Sequence, residues 1–277
     1  MCKIKYYIYV MICFSIVYMI FFTNKNNTIE LEGDIVAVNY YQHACGVIFL
    51  NLHTNDYKTY LDNYQISDVS CDTQKQMILF SDNNFLYEYI IKDDTINKLC
   101  SVDTNQSIRY PKYLQNSEQV VFLADKYIYL YDKKNRKLRK IIDADYNSYF
   151  AFLEKDKNFF YNTNSERGKV YKFNMNTNET KFMFNGFSPI ISDDEQYMAY
   201  IKDKNERILV IRNLRTGKEI EYDFGWIRNY SFSPENNKIV VQCENNKSYE
   251  IIVWDFINDK TKVVIDNAPY VNSFDWK

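Results

Sequence analysis

The chain has 277 residues, with 34 Lys and Arg against 36 Asp and Glu, for a net charge of −2. That balance leaves no broad electrostatic case for nucleic acid, and no nucleic-acid partner is expected. Apolar residues make up 46%, enough for a globular core, while only six glycines amid abundant Asn, Lys, Ile and Tyr point to a coding bias that discounts motifs built on Asn or aromatics alone.

Lys3 and Lys5 precede Tyr6 to Phe22, seventeen residues without a charge. At about 1.5 Å per residue this run spans roughly 25 Å as a helix, enough for a thin bilayer. The expected organisation is a cytoplasmic stub over 1–5, one transmembrane helix over 6–22 and a linker over 23–31. The rival reading is a cleavable signal peptide, but no small-x-small site follows Phe22. Nor is Cys13 a lipoprotein cysteine, because the bulky Ile12 precedes it. The two lysines before the span, against Lys25 followed by Glu30, Glu32 and Asp34 after it, place the N-terminus inside and the rest outside the cytoplasm.

From Val47 onward one pattern recurs: VIFLNLHTNDYKTYL, then LYEYIIKDDTINKLC from Leu86, IYLYDKKNRKLRKII from Ile128, VYKFNMNTNETKFMF from Val170, LVIRNLRTGKEIEY from Leu209 and IIVWDFINDKTKVVI from Ile251. The starts lie 39, 42, 42, 39 and 42 residues apart, a period in the propeller range. Each copy is an apolar strand, a turn and a second strand. The turn opens on Asn51, Asp132, Asn174, Asn213 or Asp255, whose side chains bond to nearby backbone. Asn55, Asn178 and Gly217 suit a left-handed residue within it. Another short apolar run lies about ten residues ahead of most hairpins, as at Val120 to Leu123, and a further strand-like segment precedes that. Four strands per unit make a propeller blade. The first copy lacks an opening strand, and Val271 to Trp276 supplies one, closing the ring without a free edge. The fold expected over 32–277 is all-β, a six-bladed β-propeller closed by its C-terminal strand.

Two stretches, SFSPENNKIVVQ from Ser231 and ISDDEQYMAYI from Ile191, resemble the PD-type repeat of TolB-like propellers. The family's Asp-Gly turn is replaced by Glu235-Asn236 and by Asp194-Glu195. WD repeats match less well, with Trp254-Asp255 the single WD dipeptide. The resemblance extends over nearly all of 32–277 and implies the fold, not a role.

Outside the cytoplasm disulfides come into question. Cys71 falls on an innermost strand and Cys100 on the outermost strand of the same blade, about 14 Å apart and beyond bridging reach. Cys45 and Cys243 fall near loop tips of neighbouring blades; free thiols are the expectation. Asp143, Asp145, Asn147 and Glu154 have the spacing of a calcium loop, with Ser148 in place of its turn glycine. Other blades have similar polar turns between strands, so a recurring turn is preferred to calcium. Lys133 to Lys140, KKNRKLRK, could touch anionic lipid or wall polymer, but its place on an outer hairpin suits a charged edge strand that resists pairing.

Catalytic constellations are sparse. The histidines are His43 and His53, both in the first blade, and no phosphate loop, nucleophile elbow or zinc-protease motif occurs. No cofactor is expected. Alignment of the repeats puts Arg109 and Arg228 at equivalent points on two innermost strands, with Asn229, Tyr149, Trp226 and Asn272 nearby at one mouth of the channel. Such a set could bind an anionic or sugar ligand, anchor a protein, or bond one blade to the next. The leading expectation is a membrane-anchored, extracytoplasmic scaffolding or binding module for an envelope protein or glycan. The alternative is a propeller enzyme, a lyase or glycosidase, acting on envelope or extracellular polysaccharide.

Overall fold

The computed structural model describes residues 29, 31 and 33–276, apart from 40–45, 52–56, 62–63, 73–74, 105, 115–117, 145–147, 164–167, 203–206, 246–247 and 269. The expected membrane span over 6–22 lies outside the described residues, as do Cys45, His43, His53, Asp145, Asn147 and the side chain of Asn272.

The strands fall in chain order into antiparallel sheets of four. Blade 1 begins with β1 (Asp34–Asn39), β2 (Gly46–Asn51) and β3 (Tyr57–Tyr60). Blade 2 contains β4 (Ile66–Asp72), β5 (Met77–Asp82), β6 (Phe85–Ile90) and β7 (Thr95–Ser101). Blade 3 contains β8 (Arg109–Tyr113), β9 (Gln119–Ala124), β10 (Tyr127–Asp132) and β11 (Lys137–Asp143). Blade 4 contains β12 (Tyr149–Leu153), β13 (Asn158–Asn162), β14 (Lys169–Asn174) and β15 (Glu179–Asn185). Blade 5 contains β16 (Phe187–Ile191), β17 (Tyr197–Ile201), β18 (Ile208–Asn213) and β19 (Glu219–Asp223). Blade 6 contains β20 (Trp226–Phe232), β21 (Lys238–Asn245), β22 (Ser248–Asp255) and β23 (Lys260–Ala268). The last strand, β24 (Val271–Trp276), returns to pair with β1, so blade 1 is the sheet β24-β1-β2-β3. Six blades and the C-terminal closure are therefore present as the repeat predicts.

The middle strands are buried on both faces, which is why they read as continuous apolar runs rather than alternating ones. Val120 to Ala124 of β9 and Phe159 to Tyr161 of β13 are all buried. Each apolar cluster lies between two neighbouring blades. One joins Ala199, Ile201, Leu209 and Ile211 of blade 5 to Phe232, Ile239, Val241 and Trp254 of blade 6. Outermost strands such as β7 and β15 are largely exposed.

Turn chemistry follows the sequence signals. Asn174 Oδ1 accepts from the amides of Asn176 and Thr177, at 2.9 and 3.0 Å, and Asn213 Oδ1 accepts from those of Arg215 and Thr216, at 3.1 and 2.9 Å. Asn178 and Gly217 have φ of 57° and 73°, the left-handed conformation expected of them. Glu195 and Asn236, which stand where the TolB-like repeat has glycine, are also left-handed, at 58° and 59°. Both side chains bond to the preceding blade. Glu195 Oε1 accepts from the amides of Glu154 and Lys155, at 2.5 and 3.2 Å, and Asn236 Oδ1 from that of Asp193 at 2.9 Å.

Closure is polar as well as apolar. Asp275, 5% exposed, accepts from the Cys71 amide of blade 2 at 3.3 Å and from Ser231 Oγ of blade 6 at 3.0 Å. Trp276 beside it is fully buried.

Candidate functional site

Arg109, Tyr149 and Trp226 are the first residues of β8, β12 and β20, with Arg228 and Asn229 two and three positions further along β20. These strands start at one end of the channel, so the sequence-predicted residues do share a mouth. Asn272 lies on β24, and its backbone alone is described. Of the calcium-spaced set, Asp143 closes β11 and Glu154 follows β12.

A recurrent irregularity shapes this mouth. The pairing of β8 with β9 shifts between Arg109 and Lys112, that of β16 with β17 between Phe187 and Ile190, and that of β20 with β21 between Ile227 and Asn229. Such bulges take an extra residue into one strand and turn its backbone. Tyr110 and Ser188 occupy them at φ of 53° and 50°. Each donates its amide to the preceding blade: Tyr110 N–H to Asp68 Oδ2 at 2.8 Å, and Ser188 N–H to Asn162 Oδ1 at 3.2 Å. Asn229 Nδ2 donates to the carbonyl of Val271 at 2.7 Å, so it ties blade 6 to the closing strand. For Asn229, bonding between blades is what the geometry shows.

Tyrosines from several blades meet at the same mouth. The Tyr110 and Tyr149 rings lie 4.9 Å apart, and Tyr249 and Tyr270 pack at 5.3 Å. Tyr230 donates its hydroxyl to the Ser188 carbonyl. Burial raises the Tyr110 hydroxyl well above its ordinary pKa, reinforced by Tyr149 and Asp68 and opposed by Arg109. Tyr230 is raised well above its usual value by burial and then by Tyr149. Tyr270 is raised by burial, against a pull from Arg228, with Tyr249 and Tyr149 adding to the rise. All three phenols stay neutral at physiological pH and act as hydrogen-bonding groups.

The outer layer of the mouth is exposed: Trp226 at 51%, Tyr149 at 39% and Tyr270 at 37%. The Arg228 guanidinium is 5.9 Å from the Trp226 ring centre and ion-pairs with Glu244, its Nε donating to Oε2 at 3.2 Å. Arg109 lies 5.6 Å from the Tyr110 ring. Sequence reasoning missed Tyr110, Tyr230 and Tyr270. Tyr270 belongs to a connection, and Tyr110 takes its position from a bulge, so repeat alignment signals neither.

The opposite end holds a cavity of about 500 Å³. Tyr113, Phe150, Phe152, Ile190 and Ile191 contribute its apolar lining, and Asp72, Lys75, Lys112, Glu154, Asp193 and Glu195 its charged lining. Several of these carboxylates hold structure. Glu195 caps blade 4, and Asp72 accepts from the Lys75 amide at 3.1 Å. The Glu154 carboxylate lies 3.9 Å from Lys157 Nζ. None of the residues expected at the channel mouth lines this cavity.

No family model matches the chain, and no curated protein does. Among solved structures, TolB from Acinetobacter baumannii aligns with a TM-score of 0.73 at 14% identity, over 94% of this chain and 69% of that one. Identity this low carries the fold and not the role. Repeat, sheet topology and structural match agree: the chain is a six-bladed β-propeller of TolB-like fold.

Proposed function

We propose that the propeller is a membrane-anchored, extracytoplasmic binding module that engages an envelope protein or glycan through the aromatic mouth. The observation that carries this reading is the exposure of Trp226, Tyr149 and Tyr270 at one mouth, with Arg228 beside Trp226. Large aromatic side chains and arginine are the residue types that dominate binding hot spots, and their exposure at one place has no role in the core. Beneath the rim, the neutral Tyr230 phenol bonds blade 6 to blade 5 through the Ser188 carbonyl, a rigid base of the kind that limits the entropy lost on binding. Anchoring by residues 6–22 rests on the uncharged run and its flanking lysines.

A pull-down with the full-length chain in mild detergent, against its own envelope extract, tests the reading beside an Arg109→Ala/Arg228→Ala variant. The expected result is a stoichiometric protein or glycan retained by the wild type and lost by the variant. Release of soluble sugar from the extract, with nothing retained, would replace this reading with the polysaccharide-cleaving one.

A further inference from the structure

The outer hairpin of blade 3 carries a charge excess that neither the core nor the aromatic mouth uses. Residues 132–143 read DKKNRKLRKIID. Lys133 ion-pairs with Glu88 of blade 2. Lys134, Arg136, Lys137, Arg139 and Lys140 are all exposed, and among the described residues none of them has an ion-pair partner. Blade 5 contrasts with this: Lys202 pairs with Glu221, Arg207 with Asp223 at 3.4 Å and Arg212 with Glu219 at 3.5 Å. Asp132, the acid that opens the blade 3 turn, is spent on accepting from the amide and side chain of Asn135, both at 2.9 Å.

Protection of a sheet edge from pairing does not account for this. A single inward or edge charge serves that purpose. β15, which exposes Phe182 at 47% and Met183 at 37%, carries Lys181 as its one cation. The fold leaves that more hazardous edge lightly charged and loads β11 instead.

We propose that the outer edge of blade 3 is a docking track for a linear phosphate polymer. The cations follow one edge strand and its turn, a line rather than a patch, and alternate side chains such as Lys137 and Arg139 repeat at about 7 Å. Arginine forks and lysine ammoniums both suit phosphate oxygens, and an edge strand adds outward backbone N–H donors. The track offers no open aromatic face, because Lys140 covers the Tyr127 ring at 3.7 Å. Polymers read by stacking, whether of sugars or of bases, lack a platform here, whereas a phosphate chain needs none. A bilayer would call for cations spread over a face.

The test is binding of the full-length chain, in neutral detergent, to long-chain inorganic polyphosphate across a salt series. Orthophosphate, a carboxylate polysaccharide and vesicles containing phosphatidylglycerol serve as the comparison probes. Polyphosphate binding should weaken steeply with salt. Lys137→Gln/Arg139→Gln/Lys140→Gln should weaken it at least tenfold and lower the log–log salt slope by about two to three. Lys181→Gln/Lys262→Gln, on the edges of blades 4 and 6, should leave it unchanged. Absence of polyphosphate binding, a flat salt dependence in the wild type, equal loss in the control variant, or preference for vesicles or the carboxylate polymer would each overturn the proposal. Where the triple variant fails to fold, Lys137→Gln and Arg139→Gln taken singly should each lower the slope by about one, and no change in either would overturn the proposal.

Discussion

The carboxylate of Asp68 accepts the backbone N–H of Tyr110 at 2.8 Å, so a side chain of blade 2 holds the bulge that shapes blade 3 at the aromatic mouth. Asp68 is 5% exposed and also accepts from the Val69 amide at 2.9 Å and from Ser273 Oγ of the closing strand. One buried acid thus joins three blades. Burial raises its carboxyl above the ordinary range, although Ser273, Tyr110, Val69 and Lys112 all pull it down.

That shift sets a pH dependence. A folded value above the unfolded one means the stabilising contribution is complete below about pH 4 and is lost as pH rises through the folded value. Asp68→Asn removes the titration and one acceptor. It should be less stable than wild type by about 1–2 kcal/mol near pH 4, with the gap narrowing toward neutrality. Urea unfolding of both proteins at several pH values measures this, and a gap that widens with pH would contradict it.

Glu195 stands in a left-handed turn where glycine would relax the backbone, yet its carboxylate caps two amides of blade 4. Glu195→Gly should relieve about 1 kcal/mol of strain and lose charge-assisted bonds worth more, for a net loss of about 1–2 kcal/mol. Glu195→Gln, which keeps an acceptor, should stay close to wild type. Thermal melts compare the three, and a glycine variant that melts higher would show that the cross-blade contact adds little.

Burial pushes the Cys100 thiol up to about 12 and, together with Glu250, the Cys243 thiol up to about 11. Cys71 is buried on β4. Since the thiolate is the reactive form, none of the three should alkylate appreciably at pH 8 in the native protein, and all should label in urea. Site-resolved mass spectrometry after iodoacetamide treatment checks this; rapid native labelling of Cys243 would show that blade 6 opens there.

Much of the ring is legible in the sequence, for physical reasons. Strands packed between two blades must be apolar on both faces, and Asn or Asp opens five of the six outer turns, so the period is written into the chain at Asn174, Asn213 and Asp255. The placement of Cys71 on an innermost strand and Cys100 on an outermost one followed from that register. The layout of the mouth was legible in part: repeat alignment puts Arg109, Tyr149, Trp226 and Arg228 at or near the starts of innermost strands, where the fold has them. Tyr110 was not, because its position depends on a backbone bulge held by Asp68, 42 residues away. The cavity at the other end was missed because it is assembled from unremarkable strand ends in several blades, with Lys112 and Glu154 distant in sequence.

The most direct test of the aromatic mouth is a binding titration with the component captured from the envelope extract. Wild type would be compared with Trp226→Ala at the mouth and with Lys112→Ala in the cavity at the opposite end. Trp226→Ala should weaken binding at least tenfold with stability changed by less than about 0.5 kcal/mol, and Lys112→Ala should bind as wild type. The reverse pattern, with affinity lost in Lys112→Ala and kept in Trp226→Ala, would move the binding site to the cavity and contradict the account.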